Sequence, residues 1–346
     1  MNVLIIDDSV LFRILLKTLV RSVEGVEVCA TANDGQAGIE AVEKYHPNVV
    51  LLDVEMPKMT GLDVMKEINN KGIDTHVIMC SAFTTAGADV TVEALELGAH
   101  DFITKPEGKD RDESTKLLKE QLIPELKELK RLIAEGKKAR PKTLVQFDSR
   151  PSFNTKVQAD IVGIGISTGG PKALAKVLPA LPASFKVPIV VVQHMPKLFI
   201  ESLANSLNEK CTLQVKVAEE GETLEKGRVY IAPGEIQMGV VEENGRMIVR
   251  LSDDPPENYC RPAADFLFRS LANCCGSRVI GIIMTGMGSD GAKGLLQIKN
   301  GGGYTIGQDQ KTSTIYGMPK EAAKNGAVSI VLPLEQIADQ LQNSLA

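Results

Sequence analysis

Short runs rich in Val, Ile and Leu, each too brief for a helix, alternate with stretches whose apolar residues recur at helical spacing. In the first hundred residues the runs are Val3–Asp7, Val26–Ala30, Val49–Asp53, Val77–Ser81 and Asp101–Thr104, and the helical stretches are Val10–Val20, Gln36–Glu43, Met65–Ile68 and Val90–Leu97. The runs lack polar alternation, as strands covered on both faces should. Strands separated by helices predict a parallel sheet with helices on each side. A second alternation follows: Ile161–Ile166, Pro188–Val192, Arg228–Ala232, Met247–Leu251 and Val279–Thr285 as strands, with Leu174–Leu178, Phe199–Leu207, Ala263–Ala272 and Gly291–Lys299 as helices. Within Val240–Leu251, Asn244-Gly245 between two β-rich runs predicts a hairpin. The fold class is therefore α/β, with two doubly wound parallel-sheet domains.

The segment between the two patterns has a different character. Ser114–Ala134 reads as a charged helix that either closes the first domain or begins a connector. Lys137–Lys156 is basic, contains two Pro and has little periodicity. The expected division is 1–106, a tail helix and linker over 107–157, and 158–346. A length of 346 residues supplies two cores. The net charge of −5 argues against a nucleic-acid partner. No apolar run approaches the ~20 residues of a membrane span, and the N-terminus lacks a basic n-region and carries two Asp, unlike a signal peptide. Six Cys without a CxxC pair read as reduced thiols, so the expected location is the cytoplasm, without membrane insertion.

Chemistry concentrates at the ends of the strands. Asp7 and Asp8 end the first run and Asp53 ends the third, so in a parallel sheet all three reach the carboxyl edge, where such sheets bind ligands. Converging carboxylates repel unless a hard cation neutralises them, and Mg²⁺ takes oxygen ligands and assists phosphoryl transfer. Lys105 follows the fifth run and Ser81 closes the fourth. Any one of these residues could merely start a turn, but five at matching strand ends form a constellation. It resembles the receiver domain of two-component response regulators, carried by Asp7-Asp8, Asp53 before Met56-Pro57 and Gly61, Ser81-Ala82 and Lys105-Pro106. The resemblance implies a flavodoxin-like fold, Asp53 as phosphoacceptor, Asp7, Asp8 and Asp53 as magnesium ligands, and Ser81 and Lys105 as phosphate sensors. Phe102 falls where that family has an aromatic switch residue, although it can equally be a core side chain.

In the second pattern, Ile161–Ile166 runs into Ser167-Thr168-Gly169-Gly170-Pro171, a sharp strand-to-helix turn with Pro at the helix start. Taken alone, such a turn more often binds a nucleotide. The spacing Gly163-x-Gly165-x-x-x-Gly169 departs from G-x-G-x-x-G, however, and the next strand ends in Gln193-His194 rather than an acidic residue that would hold a ribose. His194 is the only His of this domain and thus the only imidazole it can offer Ser167. Met284-Thr285-Gly286-Met287-Gly288-Ser289-Asp290-Gly291 delivers Asp290 from another strand end, either as a helix cap or as the acceptor that fixes the His194 tautomer. Ser, His and Asp on one sheet edge would suit nucleophilic acyl transfer. The segment Gly165–Gly169 fits G-x-S-x-G, but the chain order Ser–His–Asp is not the Ser–Asp–His order of α/β-hydrolases.

The second domain resembles the catalytic domain of chemotaxis protein-glutamate methylesterases, through Gly165–Gly170, Gln193-His194-Met195-Pro196, Arg261-Pro262-Ala263-Ala264-Asp265, Thr285–Gly291 and Tyr316-Gly317-Met318-Pro319. Ile166 departs from the small residue usual there. The resemblance implies a Rossmann-like three-layer domain with Ser167 as nucleophile, His194 as general base and acid, Asp290 as its orienter, and Thr168 and the Met287 N–H for positioning and oxyanion stabilisation. It implies no cofactor for the hydrolase. It also implies hydrolysis of glutamyl methyl esters on methyl-accepting chemotaxis receptors, deamidation of receptor glutamines, and a chemotaxis histidine kinase as phosphodonor. The presence of two domains on one chain leads to the further expectation that the receiver covers the hydrolase edge until Asp53 is phosphorylated. The alternative is a response regulator whose output domain binds a nucleotide or serves only as an interaction module.

Overall fold

The computed structural model describes residues 1–106, 111–136 and 156–345. The expected linker Lys137–Lys156 lies almost wholly outside the described residues. The chain forms two compact units, Met1–Arg150 and Pro151–Ala346. The first contains β1 (Asn2–Ile6), α1 (Val10–Arg21), β2 (Glu27–Ala32), α2 (Gly35–Tyr45), β3 (Val49–Asp53), α3 (Gly61–Asn70), β4 (His76–Ser81), α4 (Thr85–Glu96), β5 (Asp101–Thr104) and α5 (Arg111–Ala134). Its sheet is parallel with order β2-β1-β3-β4-β5. The chain leaves β1 for β2 on one side and returns to β3 on the other, so the order reverses between β1 and β3. The crevice at such a reversal is where open α/β sheets bind ligands.

The helix α5 closes the first unit. Leu118, Leu122, Leu126, Leu129 and Leu132 fall three or four apart and are all buried, as an amphipathic helix laid on a core requires. At the end of β5 the Thr104 N–H donates to Gln121 Oε1 at 2.8 Å. Pro124 lies inside the helix, where the missing N–H is normally costly. Burial of the Leu stripe outweighs that local penalty.

The second unit contains β6 (Ile161–Ile166), α6 (Gly170–Val177), β7 (Ile189–Gln193), α7 (Lys197–Lys210), β8 (Gln214–Val217), β9 (Arg228–Ile231), β10 (Gln237–Glu243), β11 (Arg246–Ser252), α8 (Ala264–Cys275), β12 (Val279–Ile283), α9 (Ala292–Asn300), β13 (Tyr304–Gln308), α10 (Met318–Lys324), β14 (Ile330–Leu332) and α11 (Leu334–Ser344). Seven strands form one parallel sheet, order β14-β13-β12-β6-β7-β9-β8. The predicted hairpin is present as a separate antiparallel pair, β10 with β11, turning at Asn244 and Gly245, both at positive φ. It packs on α8, where Val240 N–H donates to Ser270 Oγ at 2.9 Å. The sequence patterns did not anticipate β8, β13, β14, α10 or α11. Gln214–Val217 and Tyr304–Gln308 mix polar with apolar residues, unlike the apolar runs of strands covered on both faces, and Ile330–Leu332 is only three residues long. Order reverses again at β6, which lies between β7 and β12.

Candidate active site and acidic pocket

At the reversal in the first unit, Asp7 and Asp53 are buried and Asp8 is exposed. Lys105 Nζ lies 2.8 Å from Asp7 Oδ2 and 2.7 Å from Asp53 Oδ2, and sits 4.8 Å from the centre of the Phe12 ring. Burial pushes the Asp53 carboxyl up to about 7; Lys105 opposes the shift and Asp7 adds to it. One oxygen from each of Asp7, Asp8 and Asp53 lies within 4.8 Å of the others. Three hard oxygen donors, two of them on buried like-charged groups, fit a divalent cation such as Mg²⁺. Ser81 is buried at the end of β4, but its hydroxyl donates to the carbonyls of Gly87 at 3.2 Å and Ala82 at 3.1 Å rather than to either carboxylate. Phe102 is half-buried on β5.

In the second unit, three adjacent strands deliver the residues singled out in the sequence. Ser167 follows β6, His194 follows β7 and Asp290 lies in the turn after β12. The turns are stitched together: His194 N–H donates to Ile166 O at 3.2 Å, and Ser167 N–H donates to Thr285 O at 2.9 Å. The Ser167 turn requires two glycines. Gly169 caps α6 at φ +79, and a Cβ there would lie 2.3 Å from Thr314 Oγ1. A Cβ on Gly286 would meet Ser167 Cβ at 2.7 Å and Met318 Sδ at 2.4 Å. Gly286 is held from the other side, since its carbonyl accepts from Gly317 N–H at 3.1 Å and Met318 N–H at 2.9 Å. Met287 follows it, and among the described residues its N–H has no protein acceptor. Thr168 is buried and its carbonyl accepts from Thr285 Oγ1 at 2.9 Å.

His194 Nε2 lies 2.8 Å from Asp290 Oδ2. Asp290 is buried and receives three further bonds, from Ala264 N–H at 2.6 Å, Asp265 N–H at 3.2 Å and Asn258 Nδ2 at 2.8 Å. Despite burial, which raises it, the Asp290 carboxyl is held below its ordinary value by His194 and these donors. Burial disfavours the His194 imidazolium, but the hydrogen bonds to Asp290 and Cys260 outweigh it and push its pKa up to about 9. Both shifts favour the charged form of the His–Asp pair.

Four supporting residues had no role in the sequence reading, although Gln193 and Asp265 fall within its motifs. Asn258 Nδ2 donates to Asp290 and also to Asp265 Oδ2 at 2.9 Å. Asp265 Oδ1 in turn accepts from Gly294 N–H at 2.6 Å. Gln193 is buried, and its amide donates to the carbonyls of Ser167 at 3.1 Å and His194 at 3.3 Å. Cys260 Sγ lies 3.6 Å from His194 Nδ1. Asn258 and Cys260 come from an irregular segment far in sequence from the strand ends, so no periodicity marks them.

A receiver-like acidic pocket on one sheet, joined on one chain to a serine turn beside a His–Asp pair on another, defines a response regulator with a hydrolase output unit. Residues 3–115 match the response regulator receiver domain, and residues 162–341 match the family described as CheB methylesterase. The chain belongs to that CheB methylesterase family. It is 43% identical to the protein-glutamate methylesterase/protein-glutamine glutaminase of Pyrococcus horikoshii, over 98% of this chain and 92% of that one. A protein of the same name from Thermotoga maritima is 41% identical over 98% of this chain and 97% of its own length. The crystal structure of the Thermotoga maritima CheB methylesterase catalytic domain is 44% identical, with a TM-score of 0.52, and covers 54% of this chain and 98% of that domain. A nucleotide-binding or purely interacting output is not favoured by these relatives.

Proposed function

We propose that this chain is a phosphorylation-controlled hydrolase that demethylates glutamyl methyl esters of methyl-accepting chemotaxis receptors, releasing methanol, and deamidates receptor glutamines, releasing ammonia. The observation that carries the chemistry is the 2.8 Å His194–Asp290 bond at the sheet crevice beside Ser167. With Nε2–H committed to Asp290, Nδ1 is the nitrogen left to act as base. It takes the Ser167 hydroxyl proton as Oγ attacks the ester carbonyl carbon. Negative charge on the carbonyl oxygen is met by the Met287 N–H, with Thr168 positioning the acyl group. The imidazolium then protonates the departing methoxide oxygen. Water next gives its proton to Nδ1 and attacks the acyl carbon, and the proton returns to Ser167 as the carboxylate leaves. An amide follows the same course with ammonia as the leaving group. Methanol release from methylated receptor tests the proposal: Ser167→Ala should abolish it while Asp53 still takes up phosphate, and full activity in that variant would end the assignment.

In the receiver, Asp53 is proposed to accept phosphate from a chemotaxis histidine kinase. A magnesium ion held by Asp7, Asp8 and Asp53 would neutralise charge on the transferring phosphoryl group. Lys105, already on Asp53, would pair with the bound phosphoryl, and Ser81 would donate to it once its hydroxyl turns from Gly87. The added charge, about −2, is proposed to release a restraint that the receiver places on the hydrolase unit. Among the described residues no helix is long and apolar enough to cross a membrane, and the six thiols are free, which supports a proposed location in the cytoplasm.

A further inference from the structure

The imidazole of His194 is engaged at both nitrogens. Asp290 takes Nε2, and on the opposite side Cys260 Sγ lies 3.6 Å from Nδ1, within reach of a sulfur hydrogen bond. The Ser167 hydroxyl has no hydrogen-bond partner among the described residues. The nitrogen that must receive the Ser167 proton is thus held in the free protein by a thiol.

That thiol is delivered by a built turn. Glu257 and Cys260 exchange backbone bonds, Cys260 N–H to Glu257 O at 2.8 Å and Glu257 N–H to Cys260 O at 3.1 Å. Between them Asn258 and Tyr259 both have left-handed backbone, at φ +51 and +64. For Tyr259, which is fully exposed, that conformation costs free energy and persists only where the surroundings over-determine it. They do so here from three sides. Arg269 grips Glu257 with both guanidinium nitrogens, at 3.0 and 2.5 Å. Asn258 is pinned to the Asp265 and Asp290 carboxylates. Cys260 Sγ also lies 3.5 Å from the Asn258 carbonyl. The sulfur can therefore accept from Nδ1–H of the imidazolium while its own S–H donates to Asn258 O.

We infer that Cys260 is a positioning residue for proton transfer: its sulfur shares Nδ1 of His194 with Ser167, holding the ring by its second nitrogen between turnovers and yielding that nitrogen when Ser167 reacts. A thiol suits the task because it is a weak donor and acceptor that a hydroxyl can displace. The groups in contact with the ring are Asp290 from the β12–α9 turn and Cys260 from the 257–260 turn, with Asp265 of α8 behind Asp290, and the Ser167 turn adjoins through the His194 N–H on Ile166 O. Only Cys260 addresses Nδ1 by a formed contact, and by accepting from Nδ1–H it favours the charged ring.

The inference rests on the hydrolase reading, but one of its readouts needs no substrate. Histidine-labelled full-length chain contains four imidazoles, and His194 is identified by its absence in His194→Gln. In Cys260→Ala and in Cys260→Val, which preserves bulk, the titration midpoint of His194 should fall below that of the parent. Methanol-release kcat on the high-pH plateau, where the ring is neutral in parent and variant alike, should drop by about three- to tenfold, as loss of one modest hydrogen bond predicts, with KM little changed. A folded variant whose His194 titrates as in the parent overturns the inference even if it is slower, because Cys260 would then only pack. A lowered midpoint with unchanged kcat overturns it too, since the contact would be idle in turnover. Failure of the hydrolase reading would show separately, as a parent chain that releases no methanol.

Discussion

At the residue scale the decisive group of the proposed mechanism is His194, since its protonation would decide whether Ser167 can be deprotonated. Its pKa is pushed up to about 9 by Asp290 and Cys260 against burial, so the free base is scarce at neutral pH. The pH profile of kcat/KM should rise through an acid limb whose midpoint lies well above the ordinary histidine value of about 6.5; a limb at or below that value would refute the reading. Asp290→Asn keeps the shape but presents an amide to Nε2, and should lower kcat by up to about 10⁴-fold, the loss expected when the tautomer is wrong. Asn258→Ala should cost less, about tenfold in kcat. It removes one donor from Asp290 but leaves the Ala264 and Asp265 N–H groups in place. Steady-state methanol release across pH checks all three.

At the element scale, two helices cap one another. Neither α8 nor α9 has a side-chain bond at its own N-cap, yet the first N–H groups of each helix would be costly to leave unpaired. Asp290, just before α9, accepts from Ala264 and Asp265 at the start of α8, and Asp265, in the first turn of α8, accepts from Gly294 in α9. The carboxylate that is hydrogen-bonded to His194 is therefore also a structural cap, so the two readings of Asp290 open in the sequence are compatible. Asp265→Ala should destabilise the catalytic unit by about 1–2 kcal/mol, the usual cost of a lost cap. The loss should appear as a lower thermal midpoint, with a smaller effect on kcat than Asp290→Asn has.

At the scale of the whole molecule, the charged His–Asp pair links stability to pH. The His194 pKa is raised on folding, so its contribution is complete below about 6.5 and is lost as pH rises through about 9. The Asp290 pKa is lowered, so its contribution is complete above its unfolded value of about 4 and is lost as pH falls through its folded value. Urea unfolding of the parent and of His194→Gln should diverge most between about pH 4 and 6.5 and converge above about pH 9. Control by the receiver makes a separate prediction. The unphosphorylated full chain should be slower than a fragment beginning near Lys156, and a phosphodonor should bring it towards the fragment. Equal rates without phosphodonor would exclude inhibition by the receiver.

The strand ends of both units were legible in the sequence because chemistry at the carboxyl edge of a parallel sheet needs only local information, a buried apolar run and the residue that follows it. Asp7, Asp53, Lys105, Ser167 and His194 could each be named on that ground, and Asp290 from the Gly-rich turn that follows β12. The order of the strands was not legible, since β6 pairs not only with the nearby β7 but also with β12, a segment over a hundred residues away. That order alone sets Ser167 between the turns that carry His194 and Asp290. Tertiary structure likewise decided which way side chains point: the Ser81 hydroxyl faces Gly87, and Nδ1 of His194 faces Cys260. Asn258 and Cys260 enter the site through a strained turn held by Arg269 and two buried carboxylates, and a local sequence pattern has no means of encoding such distant partners.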